Sequence, residues 1–301
     1  MFKRFVVLAV LLAGFMPHAA LACACGCGVF EAGTGSLFPT SEGGTVWLEY
    51  DYMNQNQKIT GGDGHNHDEK IRTDFVTAGG QYMFNRSWGI NVQVPVWNRY
   101  LDTIDHDDGL LSFEHADLGD IRLRGIYTGF FDDMSTGVTF GLKLPTGDFN
   151  YPNFERDTQI GTGSTDILLG AYHRRNLTDD AMYDWFINGQ WQHAISIQDD
   201  FRPGDEFNIG TGVSYNGLSF GSAGTLSPIV QAVLSHKLEN TGANAHSENS
   251  GYTNLMVGPG LEYNINNVRL YGDILFPVMQ NVNGTQLVAP LMFKFIMAYN
   301  F

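Results

Sequence analysis

The chain is short of basic residues, short of charge altogether, nearly free of cysteine, and without a long apolar run. Lys and Arg number 17 against 32 Asp and Glu, a net charge of −15. Nucleic acid is thereby excluded as a partner, because phosphate binding needs a clustered basic surface. Charged residues make up 16% of the 301 positions, where a typical soluble domain has roughly 25%. No stretch of about 20 apolar residues occurs, which excludes a helical membrane protein. Cysteine is confined to Cys23, Cys25 and Cys27, so no fold-wide disulfide framework can form. Neither His-Glu-x-x-His nor a haem-attachment Cys-x-x-Cys-His is present. Glycine, by contrast, is plentiful at 36 residues, and aromatics reach 13%.

The first residues read as an address. Lys3 and Arg4 precede an apolar run from Phe5 to Phe15, too short to span a bilayer. Ala20-Leu21-Ala22 then supplies the small-x-small pattern that a signal peptidase reads. The expected organisation is a cleaved export signal over residues 1–22, a Cys/Gly-rich tail over 23–43 and a folded region over 44–301. Three readings of the clustered cysteines stay open: lipidation of Cys23, thiol pairing with each other or another chain, and convergence of three thiolates on a soft ion such as Cu(I).

From residue 44 onward apolar residues recur at every second position. Val46, Leu48, Tyr50 and Tyr52 alternate with Glu49 and Asp51. Ile90, Val92, Val94 and Val96 alternate with Asn91, Gln93 and Pro95. Ile121, Leu123 and Tyr127 alternate with Asp120, Arg122 and Arg124. Period-two patterning of this kind marks strands with one apolar face. About twelve segments are expected, near 44–54, 70–84, 87–100, 116–131, 134–145, 163–175, 181–195, 205–216, 224–238, 251–264, 267–279 and 286–301. Short links such as Asn85-Arg86-Ser87 and Asp132-Asp133 alternate with long ones near 55–69, 101–115, 146–162, 196–204, 239–250 and 280–285. Short turns at one end and long loops at the other predict an all-β chain, a transmembrane antiparallel up-and-down β-barrel with both termini in the periplasm. The chain closes on Leu291, Phe293, Phe295, Met297, Tyr299 and Phe301. Tyr299 and Phe301 resemble the C-terminal signal that the barrel-assembly machinery recognises.

With the apolar face against outer-membrane lipid, the opposite face lines the lumen. Expected there are Glu49, Asp51, Asp120, Asp166, Asp184, Glu262 and Asp273, balanced by Arg99, Arg122, Arg124, Lys143, Arg174, Arg269 and Lys294. Charges in such a setting need partners. The surplus negative charge then falls in the loops. Among them His65, His67 and Asp68, with the three cysteines, are candidate ligands for Cu or Zn; no other cofactor is implied.

Two stretches go beyond pattern. Leu118-Gly119-Asp120-Ile121-Arg122-Leu123-Arg124-Gly125-Ile126-Tyr127 is one. The other is Gly141-Leu142-Lys143-Leu144-Pro145-Thr146-Gly147-Asp148, followed by Gly161-Thr162-Gly163-Ser164-Thr165-Asp166. Together they resemble the outer-membrane transporter family named for the meta-pathway of phenol degradation. The resemblance implies an outer-membrane barrel with a transport role. It does not make phenol the cargo.

The reading is therefore a bacterial outer-membrane channel passing a small solute, hydrophobic, aromatic or metal-associated, under a lid of long loops. Two alternatives accompany it. One is a plugged barrel that binds metal or protein partners at its surface. The other is an outer-membrane acyl hydrolase using His193 with Ser196 or His236 with Ser235.

Overall fold

The computed structural model describes residue 35 and residues 37–60, 63–104 and 110–301, with the backbone alone for Cys23–Ala24 and for 63–68. The strands are β1 (Cys23–Ala24), β2 (Gly43–Thr60), β3 (Asp63–Met83), β4 (Trp88–Ile104), β5 (Leu110–Leu118), β6 (Arg122–Tyr127), β7 (Thr136–Lys143), β8 (Thr165–Asn176), β9 (Tyr183–Ser196), β10 (Glu206–Tyr215), β11 (Leu218–Ser219), β12 (Thr225–Lys237), β13 (Tyr252–Ile265), β14 (Val268–Val282), β15 (Thr285–Val288) and β16 (Met292–Asn300). Each main strand pairs antiparallel with its chain neighbour, and β16 returns to pair with β2. The result is a closed barrel of twelve staves. One stave is split: β5 and β6 both pair with β4, on either side of residues 119–121. Closure leaves no sheet edge to be satisfied by lipid.

The alternation places the faces as the sequence suggests. Leu48, Ile90, Leu123, Phe140, Leu169, Ile209, Val230, Leu261, Ile274 and Met297 stand outward and exposed, a belt suited to hydrocarbon. Among the described residues no helix is long and apolar enough to cross a membrane; the crossing is by strands. This is the architecture of a bacterial outer-membrane protein. The start of β2, the end of β16 and the short turns share one end of the barrel. There Gly44 N–H donates to Phe301 O at 2.9 Å and Phe301 N–H to Gly44 O at 2.8 Å. Tyr299 and Phe301 both point outward.

Three expectations need correction. The segments 55–69 and 101–115 are largely strand rather than loop. β2 and β3 run for 18 and 21 residues, about twice the 9–11 that cross a bilayer. Over this extension the sequence carries polar residues on both faces, so the hairpin lacks apolar alternation and reads as loop. The last segment is not continuous either, because Ala289–Leu291 separates β15 from β16, and β15 turns inward with Gln286, Leu287 and Val288 buried. The third correction concerns what fills the barrel. Trp47, Phe75, Phe186, Tyr271, Met53 and Met292 all face inward and are buried. Gly79 makes this possible at one point: a Cβ there would overlap the Trp47 indole.

Candidate functional site

The interior combines apolar clusters with buried polar groups. Along the closing seam, Met53, Phe75, Val233, Met256, Leu275 and Met292 pack into one apolar cluster, joined by Trp97. Trp47, Phe186, Ile229, Tyr271 and Ile296 form a second, against which Leu37 and Phe38 pack. Each such side chain withdrawn from water contributes roughly 1.5–3 kcal/mol, so these clusters behave as a core.

Beside and between these clusters the interior is polar, and its buried charges form compact groups. Lys294 bonds Glu49 and lies 3.3 Å from Asp51. Asp273 accepts from the Tyr271 hydroxyl at 2.6 Å and from Gln231 at 2.7 Å. Lys143 sits between Asp166 at 2.7 Å and Asp120 at 3.3 Å. Arg124 donates to Gln93 and Gln190. Arg99, 2% exposed, donates to Thr73 and to the carbonyls of Thr158 and Gln159.

Those carbonyls belong to the long β7–β8 connection, residues 144–164, which folds into the barrel. Asp120 is its clasp. The Asp120 carboxylate accepts from Gly147 N–H at 3.1 Å, Thr162 N–H at 3.0 Å and the Thr162 hydroxyl at 2.6 Å. Thr146 adds a bond to Gly119 O, and Gly161 N–H donates to Asp148 O. Gly147 and Gly161 lie back to back, and a Cβ on Gly161 would strike the Gly147 carbonyl. The two Gly/Asp stretches singled out in the sequence therefore meet at one point. Within the loop Gln159 holds Tyr151 and Phe154 through its side chain, and the Arg156 guanidinium lies over the rings of Phe149 and Phe201.

Enclosed between these parts is a cavity of about 280 Å³. Leu37, Phe38 and Pro39 bound it toward the chain ends, where Phe38 stacks on Tyr172 at 4.3 Å. Gln159, Ile160 and Thr162 of the inward loop bound it on another side.

Of the residues expected to line a lumen, Glu49, Asp51, Arg99, Asp120, Arg122, Arg124, Lys143 and Lys294 border this cavity. Asp166 and Asp273 are buried behind it in the groups just described. Arg174, Asp184, Glu262 and Arg269 gather near the short turns: Arg174 bonds Asp133 O, Asp184 accepts from Asn216, and Arg269 faces Glu262 at 3.8 Å. Cys25 and Cys27 lie outside the described residues. Cys23 enters as backbone, running parallel to Gln286 in β15. His65, His67 and Asp68 belong to β3, and their side chains lie outside the description. The inward apolar clusters and the Phe38 contact escaped sequence reasoning, although Trp47 opposite Gly79 was an available signal.

The hydrolase pairs do not assemble. His236 bonds Thr253, whereas Ser235, its neighbour on the strand, bonds Asn208 inside the barrel. His193 bonds Asp205 at 2.7 Å. The letters Gly-x-Ser-x-Gly do occur at 217–221. There Ser219 ends a two-residue strand followed by a single 3₁₀ turn, not the strand-to-helix elbow that exposes a nucleophile.

One loop carboxyl is displaced in its titration. Burial, with Asp157 and Glu69 nearby, pushes Glu155 up to about 7. A raised acid pKa favours the folded arrangement while the group is protonated, and that advantage is lost as pH rises through about 7. The inward loop is expected to be better protected from protease at pH 5.5 than at pH 8. In Glu155→Gln the difference should shrink; persistence of the full difference would assign it to another group.

No family model matches the chain, and no curated protein matches it. Among solved structures, an outer membrane channel from Pseudomonas putida F1 aligns with a TM-score of 0.66 at 14% identity, over 89% of this chain and 99% of that one. The beta domain of the Bordetella autotransporter BrkA aligns with a TM-score of 0.52 at 8% identity, over 86% of this chain and 100% of the other. At these identities the likeness is one of fold.

Proposed function

We propose that the barrel is a passive outer-membrane channel for a small solute with an apolar body and a polar end, both chain ends lying in the periplasm. The observation that carries this reading is the interior cavity. At about 280 Å³ it falls just below the roughly 300–1,000 Å³ of drug-sized sites, and its wall sets Phe75 and Trp97 beside Arg99, Arg122 and Arg124. A ring can pack on the aromatic side while a hydroxyl or carboxylate meets the guanidinium side. The fold shared with the Pseudomonas putida channel supports passage. In this reading the inward loop and Leu37–Phe38–Pro39 set the two constrictions.

The test is planar-bilayer conductance of the refolded mature chain, with and without small aromatics and Cu. Discrete steps blocked by an aromatic support the channel; a silent bilayer with correctly folded protein rejects it. Phe38 favours a second reading, a barrel closed by its own N-terminal segment. Phe38→Ala removes the ring stacked on Tyr172 and is expected to raise conductance without changing the barrel's circular dichroism. Unchanged conductance would show that Phe38 does not restrict the path.

A further inference from the structure

His115 and Asp117 lie two residues apart on β5, so they share one face of that strand. Across the ladder they pair with Arg99 and Trp97 of β4. Asp148 comes from the other side, in the inward loop directly after the Gly147 clasp. One ligand-capable atom from each of the three lies within 4.8 Å of the others. The His115 Nε2 faces Asp148 Oδ2 at 3.4 Å, is sealed from solvent and makes no hydrogen bond. Its ring is fixed flat on Tyr151, centroids 3.8 Å apart and planes 8° from parallel, with Phe154 at its edge. Each carboxylate spends one oxygen locally: Asp148 Oδ1 accepts from Asn150 N–H and Asp117 Oδ1 from Leu118 N–H. The second oxygen of each is left for another partner.

We propose that His115, Asp117 and Asp148 form a divalent transition-metal site that ties the inward loop to the barrel wall. One imidazole nitrogen and two carboxylate oxygens make a borderline donor set, suited to Zn²⁺ or Co²⁺ with water completing the shell. Ca²⁺ is disfavoured, because it takes about 6–8 oxygens, and Cu(I) is disfavoured by the absence of sulfur. Bond lengths of about 2.0–2.2 Å bring tetrahedral ligand atoms to about 3.3 Å of one another. Metal binding therefore draws the trio together, and Asp148 carries the loop toward β5. The acidic surface enriches cations around the molecule. The inference rests on these three side chains and not on which solute crosses.

Co²⁺ titrated into the EDTA-stripped, refolded full chain tests it, read by visible d–d absorption and by displacement with Zn²⁺. One equivalent is expected to bind. His115→Ala and Asp148→Asn should each weaken binding by more than the roughly 10–100-fold that outer-shell partners cost. Asp117→Asn, at an exposed position, supplies a variant that leaves folding untouched. A chain with Cys23, Cys25 and Cys27 changed to Ser, or with His65 and His67 changed to Ala, should still bind. Absence of Co²⁺ binding by the folded wild type, binding indifferent to His115 and Asp148, or binding lost with the cysteines would each overturn the proposal.

Discussion

Lys294→Met is expected to destabilise the barrel by about 3–5 kcal/mol, the cost of stranding a buried charge partner. Lys294 is 4% exposed and sits directly opposite Asp51 on the β2–β16 seam, with Asp273 opposite it on the β14 side. Its ammonium bonds Glu49 and approaches Asp51. Methionine fills much the same space and leaves two carboxylates facing each other without a cation. The penalty belongs to the orphaned acids and not to the ion pair as such. The triple variant Glu49→Gln, Asp51→Asn, Lys294→Met should therefore recover most of the loss. Urea unfolding midpoints of the refolded barrels measure both. A cost below about 1 kcal/mol for the single change, the size of an exposed pair, would mean that water reaches the group.

Asp120→Ala is expected to release the inward loop while leaving the barrel closed. The carboxylate accepts three hydrogen bonds from Gly147 and Thr162, and bonds to a charged group contribute about 1.5–3 kcal/mol each. Lys143 keeps Asp166 as a partner, so the change does not isolate a cation. Two readouts should move together: protease cleavage within residues 144–164 and a rise in single-channel conductance. Asp120→Asn retains an acceptor and should fall between. Cleavage and conductance both at wild-type levels would show that Arg99, through Thr158 and Gln159, suffices to hold the loop.

Strand number and outward face were legible because lipid enforces a period of two: wherever a stave crosses hydrocarbon, the pattern Val46, Leu48, Tyr50 has its equivalent. Legibility stopped where that constraint stops. Above the lipid, residues 55–69 carry polar groups on both faces and form a hairpin with a register shift between Gln55 and Gln57. Inside the barrel no alternation tells a core from a pore. Trp47, Phe75 and Met53 share strand faces with Glu49, Asp51 and Thr73, and only closure decides which neighbours they meet. The Gly/Asp stretches stood out as a resemblance, but their convergence on the Asp120 carboxylate depends on β6, β7 and the loop lying side by side. His115 and Asp148 are joined in the same way, by a fold that brings β5 against the returning loop.

The two bonds between Gly44 and Phe301 also have a meaning in time. Thr45 and Asn300, hydrogen-bonded side chain to side chain nearby, are 255 positions apart, so the contact that completes the ring is among the most distant in the chain. Until β16 arrives, β2 presents a bare row of donors and acceptors to its surroundings. Contacts of such separation form late and slowly. A chain that lacks β16 thus leaves the Thr45–Met53 edge of β2 open, prone to aggregate rather than to work at reduced capacity.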